Sequence, residues 1–177
     1  MSDAIRVLIA DDQRVVREGL LMVLGLLPDV DLVGAAADGR EAVAMAAALH
    51  PDIVLMDLRM PRCDGVAATQ LLREQQPDTR VGILTTYGDD QSVVDALRAG
   101  ARGYLTKDAG VSEIRKALVQ VLDEQAVIDP AVQRHLVAAV ANSAPHPSRQ
   151  ASARLPDGLT PREAEVLALI AAGLSNL

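Results

Sequence analysis

Short β-branched runs alternate with longer stretches of helical periodicity through the first 124 residues, and no feature constrains the fold more. The runs are Ile5–Ala10, Asp31–Ala36, Ile53–Met56, Val81–Thr85 and Gly103–Leu105. Between them the spacing predicts helices near Arg14–Leu27, Arg40–Leu49, Val66–Gln75, Gln91–Ala99 and Ser112–Asp123. Val15, Val16, Leu20, Val23, Leu24 and Leu27 recur at helical spacing, which implies one buried stripe. Ile53–Met56 is an uninterrupted apolar run, as a strand covered on both faces requires. Strands separated by helices are joined by right-handed crossovers, so their sheet is parallel. The class is therefore α/β, a doubly wound five-stranded parallel sheet. Asp38 with Glu41 three residues on has the pattern of a capping box, and Gly100 is a helix stop.

Composition narrows the core and the partners. The aromatic share is 1%, with two Tyr and neither Phe nor Trp, so the core is aliphatic. Base-stacking platforms for single-stranded nucleic acid are excluded. Residues 1–124 hold 13 basic against 20 acidic side chains, whereas 125–177 hold 4 of each. The acidic excess of the N-terminal part repels DNA phosphates. Cys63 is the single cysteine, so no intramolecular disulfide forms and a reducing cytoplasm is expected. The opening MSDAIRVLIADD has no basic stretch ahead of a long apolar run. Neither a signal peptide nor a membrane span is expected.

Beyond residue 124 the pattern changes. Asp129-Pro130 opens a sixth predicted helix, Ala131–Ala141, and Asn142–Gly158 reads as a flexible linker. Thr160, Pro161 and Glu163 then supply the cap, first position and box of a last helix. The expected division is a domain over 1–124, a helix plus linker over 125–158, and a helical fragment over 159–177.

In an open parallel sheet, function gathers at the carboxyl ends of the strands. Asp11 and Asp12 follow the first run, Asp57 the third, Thr85 ends the fourth and Lys107 follows the fifth. Clustered carboxylates repel one another, and a hard cation such as Mg²⁺, or Mn²⁺ in its place, relieves that repulsion. A carboxylate is also a nucleophile toward phosphorus, and cation, hydroxyl and ammonium would neutralise the phosphoryl oxygens. Each residue has a plainer reading. Asp11-Asp12 could cap a helix, Asp57 could precede a turn, Thr85 could be a β-former and Lys107 an exposed lysine. Thr86 beside Thr85 leaves that choice open by composition, and Asp64-Gly65 reads as a structural turn.

Four separated blocks, IRVLIADD, VLMDLRMPRCDG, ILTTY and AGARGYLTKD, resemble the signatures of response-regulator receiver domains over about residues 4–124. The resemblance implies a flavodoxin-like sheet of order 2-1-3-4-5 and Asp57 as phosphoacceptor. It implies a metal held by Asp11, Asp12, Asp57 and the Arg59 backbone carbonyl, with Thr85 and Lys107 on the phosphoryl group. Thr85 and Tyr104 take the positions of its switch pair. Lys107-Asp108 departs from the family's frequent Lys-Pro, so no cis-proline is available there.

Leu159–Asn176 (LTPREAEVLALIAAGLSN) resembles the opening of the LuxR-type helix-turn-helix of the NarL/FixJ class, without the recognition helix. The implied protein is a two-component transcription regulator. Its expected partners are a sensor histidine kinase, a second copy on phosphorylation, and promoter DNA only in a form with a complete helix-turn-helix. The dimer face is expected along Gln91–Ala99, Gly103–Leu105 and Ser112–Leu122, or on the first helix at Val16 and Leu20. The alternatives are a stand-alone phosphorelay or phosphate-sink receiver, and a phosphatase with an aspartyl-phosphate intermediate. Asp57 is followed by Leu58 and Arg59, so the general acid of the haloacid dehalogenase pattern is missing and no multiple-turnover enzyme is expected.

Overall fold

The computed structural model describes residues 4–86 and 90–128, together with Pro130 and Gln133. Apart from Gln133, the predicted helix Ala131–Ala141, the linker, the helix-turn-helix fragment and Tyr87 lie outside the described residues. The strands are β1 (Ile5–Ala10), β2 (Val30–Ala36), β3 (Ile53–Met56), β4 (Arg80–Thr85), β5 (Gly103–Thr106) and β6 (Val127–Ile128). The helices are α1 (Arg14–Leu24), α2 (Gly39–Leu49), α3 (Gly65–Gln75), α4 (Asp90–Ala99) and α5 (Val111–Leu122).

All neighbouring strands are parallel, in the order β2-β1-β3-β4-β5-β6. The expected order 2-1-3-4-5 holds, and a sixth strand extends it. Gly103 and Tyr104 of β5 pair with Val127 and Ile128, in a segment the sequence assigned to a helical linker. Two residues carry no readable period. The open edge of β5 decides their conformation by offering a ladder partner.

The sheet's two faces follow from strand alternation. Val7, Ile9, Ile53, Leu55, Leu84 and Leu105 pack with Leu24 of α1 and with Ile114, Leu118 and Val121 of α5. Leu8, Ala10, Val54, Met56, Ile83 and Tyr104 pack with Ala42 and Ala46 of α2, Leu72 of α3 and Val93 and Ala96 of α4. The run Ile53–Met56 serves both faces, and all four side chains are buried. Burying such an aliphatic side chain contributes about 2 kcal/mol, and the core expected to be wholly aliphatic also holds one aromatic, the buried Tyr104.

Helix α1 ends at Leu24 rather than Leu27, because Leu26 and Leu27 close tighter turns onto the Val23 and Leu24 carbonyls. Val16 and Leu20 of the expected buried stripe are partly buried, and Leu20 packs against the α1–α5 core. Val15, expected in that buried stripe, points outward instead, and like Met22 and, in the turn after the helix, Leu26 it is more than 70% exposed. Gly100 terminates α4 at φ +117, as its position in the sequence suggests.

Asp38 caps α2. Its Oδ1 accepts from the N–H groups of Arg40 at 2.8 Å and Glu41 at 3.0 Å. Glu41 reaches back to the N–H of Ala37 at 2.7 Å, one residue earlier than a capping box requires. The Glu41 N–H and then the Arg62 guanidinium hold the Asp38 carboxyl below the usual carboxylate range. A depressed folded pKa stabilises above the unfolded value of about 3.9 and loses that contribution as pH falls toward the folded value. Asp38→Asn is therefore expected to flatten the acid limb of stability against pH below about pH 4. Urea titrations of both proteins from neutral pH downward check this. Parallel acid limbs would remove Asp38 from acid unfolding.

Candidate functional site

In this strand order β1 and β3 are neighbours while their crossovers leave in opposite directions. The crevice at their carboxyl ends is the topological switch point of the sheet. The chain places Asp11 and Asp12 on one side of it and Asp57 on the other. Asp57 N–H donates to the Ala10 carbonyl at 2.8 Å, and Asp11 N–H donates to the Ala36 carbonyl at 3.1 Å. Strand pairing thus continues one residue past each strand and fixes both aspartates before any ligand arrives.

Ligand oxygens of Asp11, Asp12 and Asp57 lie within 4.8 Å of one another. Asp11 and Asp57 are buried, and Asp12 is exposed. Lys107 reaches in from the loop after β5, with its Nζ 2.5 Å from Asp11 Oδ2 and 2.9 Å from Asp57 Oδ2. Burial pushes the Lys107 ammonium down, but its hydrogen bonds to Asp11 and Asp57 and their charges outweigh burial and leave its pKa raised. The lysine therefore stays charged and orients both carboxylates.

The remaining oxygens differ. Asp11 Oδ1 accepts from the Gln13 N–H at 2.8 Å, and Arg17 Nη1 donates to the Asp11 carbonyl at 2.7 Å. The capping reading of Asp11 is thus partly realised as a turn, although Gln13 is the residue at the N-cap of α1. Asp57 Oδ1 is buried and has no hydrogen-bond partner among the described residues. A buried acceptor without a partner costs about 1–3 kcal/mol, more when charged. Three carboxylates face one ammonium, and one buried carboxylate oxygen carries uncommitted lone pairs. That donor set fits a hard, oxygen-seeking divalent cation that keeps some of its waters.

The other predicted residues fall around this pocket. Thr85 is buried at the end of β4 while Thr86 is exposed, so the structure separates two residues that composition could not. The Lys107 N–H donates to the Thr85 carbonyl at 2.9 Å, which ties the two loops together. Arg59 is exposed on the β3–α3 loop. Tyr104 is 1% exposed and belongs to the core cluster that includes Ile83, Val93 and Ala96. Lys107-Asp108 is not cis, and there is no cis peptide among the described residues.

Sequence reasoning missed what shapes the β3–α3 loop. Gly65 donates its N–H to the Leu58 carbonyl at 2.8 Å, and a Cβ built on it would lie 2.2 Å from the Asp57 carbonyl oxygen. Its reading as a structural turn was incomplete, because it seats α3 against the backbone of Asp57. Asp38 and Gly39 at the start of α2 brace the same loop at Arg62 and Cys63. The one signal for Gly39 was its place after a capping Asp.

The protein is, as a class, a doubly wound α/β protein with an acidic pocket at its switch point, bridged by Lys107. The chain belongs to the response-regulator receiver-domain family, whose sequence profile matches residues 7–119. It is 39% identical to the transcriptional regulatory protein LnrK of Bacillus subtilis over 97% of this chain and 79% of that protein. It is 34% identical to the nitrate/nitrite response regulator NarL of Escherichia coli over 96% of this chain and 76% of that protein. A solved LuxR-family two-component response regulator from Aurantimonas superposes with TM-score 0.72 at 31% identity, covering 77% of this chain and 97% of the other. The chain is thus a response regulator whose relatives are two-component transcriptional regulators. Among the described residues no helix is long and apolar enough to cross a membrane.

Proposed function

We propose that Asp57 is the phosphoacceptor of this response regulator and that a sensor histidine kinase supplies the phosphoryl group. The observation that carries the reading is the unpartnered, buried Oδ1 of Asp57 beside an Oδ2 held by Lys107. Asp57 attacks phosphorus through its carboxylate, an O–P bond forms, and the N–P bond of a phosphohistidine breaks with its electron pair leaving on the imidazole. Lys107 keeps the carboxylate oriented and then stabilises charge on the phosphoryl oxygens, joined by the Thr85 hydroxyl. Asp11, Asp12, Asp57 and the Arg59 carbonyl would hold Mg²⁺ or Mn²⁺, which supplies charge neutralisation to the phosphoryl oxygens when bound. The chain accepts and loses one phosphoryl group and is not a multiple-turnover enzyme. Labelling by a small phosphodonor with Mg²⁺, compared between wild type and Asp57→Asn, tests this.

The output is a shift between two receiver states, in which Thr85 closes on the phosphoryl group and Tyr104 holds the interior position next to it. Moving such an equilibrium from 1:99 to 99:1 takes about 5.5 kcal/mol, within reach of a few charge-assisted hydrogen bonds. The working protein is a cytoplasmic homodimer when phosphorylated. Its receiver (1–124, with β6 extending the sheet) acts through the rest of 125–158 on the helix-turn-helix that begins at 159–177. Sedimentation with the phosphoryl mimic beryllofluoride is expected to show a tighter self-association than without it. An unchanged association constant at saturated Asp57 would remove dimerisation from the mechanism. The stand-alone relay reading has no observation in its favour, given relatives that are transcriptional regulators over most of this chain.

A further inference from the structure

The β3–α3 loop, residues 57–64, carries Asp57 at one end and is seated on Gly65 at the other. Leu58 and Met60 are buried and anchor its first half. Its second half touches the N-terminus of α2. The Gly39 N–H donates to the Cys63 carbonyl at 3.1 Å, and Arg62 Nε donates to Asp38 Oδ2 at 2.8 Å. Arg62 Nη2 makes a second bond to the same oxygen. Two features make this contact more than a surface ion pair. Asp38 is buried, with its other oxygen already committed to two backbone N–H groups of α2. Arg62 sits at φ 65, in the left-handed region that β-carbon-bearing residues avoid. A strained backbone persists where its surroundings over-determine it, and here the surroundings are the Asp38 carboxylate.

We propose that Asp38 and Arg62 are positioning residues that latch the β3–α3 loop to α2 and so set the geometry of the cation and phosphoryl pocket. The inference rests on the phosphoacceptor reading given above. Neither residue touches the pocket. They act through the loop, which lies between the end of β3 and the start of α3 and carries Arg59, whose carbonyl the phosphoacceptor reading assigns to the cation. Outer partners that orient ligands in this way typically change metal affinity about tenfold or more when removed. Helix α2 thereby gains a mechanical connection to Asp57.

Cys63 supplies a local reporter. Its thiol is half-buried against Gly39, and burial, with Asp64 next, pushes its pKa up. Loosening the latch exposes it.

The test uses the full chain with Arg62→Gly, which accepts the positive φ, and Asp38→Asn, which keeps the helix cap and removes the charge. Mg²⁺ affinity is measured by calorimetry, Cys63 reactivity with a disulfide reagent, and global stability by urea titration. Both variants are expected to bind Mg²⁺ about tenfold more weakly and to react faster at Cys63 while still folded, with Asp38→Asn also lowering the urea midpoint at neutral pH through the lost carboxylate. The double variant is expected to add nothing to either single one, because both break one contact. Wild-type Mg²⁺ affinity in a folded variant would overturn the latch while leaving the phosphoacceptor reading standing. Should one variant fail to fold, the other decides. Absence of Mg²⁺ binding by the wild-type chain would overturn both readings together.

Discussion

Asp57→Asn is expected to abolish labelling by acetyl phosphate, while wild type gains the mass of one phosphoryl group. The substitution keeps the size and planarity of the side chain, so the pocket stays folded. What it removes is the negative charge and the nucleophilic lone pairs. An amide oxygen is a poor nucleophile toward phosphorus, and no neighbouring carboxylate can take over. Asp11 has one oxygen committed to Gln13 and the other to Lys107, and Asp12 is exposed. Of these three aspartates Asp57 alone combines burial, a lysine partner and an oxygen without a partner among the described residues. Intact-mass spectrometry with and without Mg²⁺ is the measurement. Equal labelling of both proteins would end the assignment of Asp57. Labelling that persists undiminished in a chelator would remove the cation from the reading.

Gly65→Ala is expected to be among the most damaging single-methyl additions in the receiver. The added carbon would meet the Asp57 carbonyl oxygen at 2.2 Å and Leu58 Cα at 2.8 Å. Both obstacles are backbone, so no rotamer change relieves them. The start of α3 must withdraw or the loop must move. Overpacking of this kind costs about 1–3 kcal/mol or more, with the largest values where backbone has to shift. Gly19 in α1 is the control, since nothing lies within 4 Å of a Cβ built there. Gly19→Ala is expected to stabilise by up to about 1 kcal/mol through helix propensity alone. Urea titration of the two variants should move the midpoint in opposite directions. A neutral Gly65→Ala would mean that the loop has slack, and the loop would then not hold Asp57 in place.

Much of the fold was legible because its signals are local. Ile53–Met56 needs no partner to be recognised as a strand covered on both faces, and Gly100 stops α4 through its own backbone freedom. Where the reading failed, the deciding contact was remote. Leu27 has helical spacing, but α1 ends at Leu24 when two turns redirect the chain into β2. Val127–Ile128 becomes a strand through β5, more than 20 residues earlier.

The sequence by itself determined that five strand-like runs alternate with helices, and that Asp11, Asp12, Asp57, Thr85 and Lys107 stand at the carboxyl ends of strands. Both follow from side-chain periodicity and chain order, which folding does not alter. Only the tertiary structure decided which of these groups meet and in what state. Lys107 closes on Asp57 across 50 residues, one oxygen of Asp57 is left uncommitted, and Thr85 rather than Thr86 is buried. It also placed Arg62 on Asp38, 24 residues away, where neither motif nor period points. The physical reason is that hydrogen bonds and charge pairs act at contact distance, and contact between remote residues exists only once the sheet has ordered its strands.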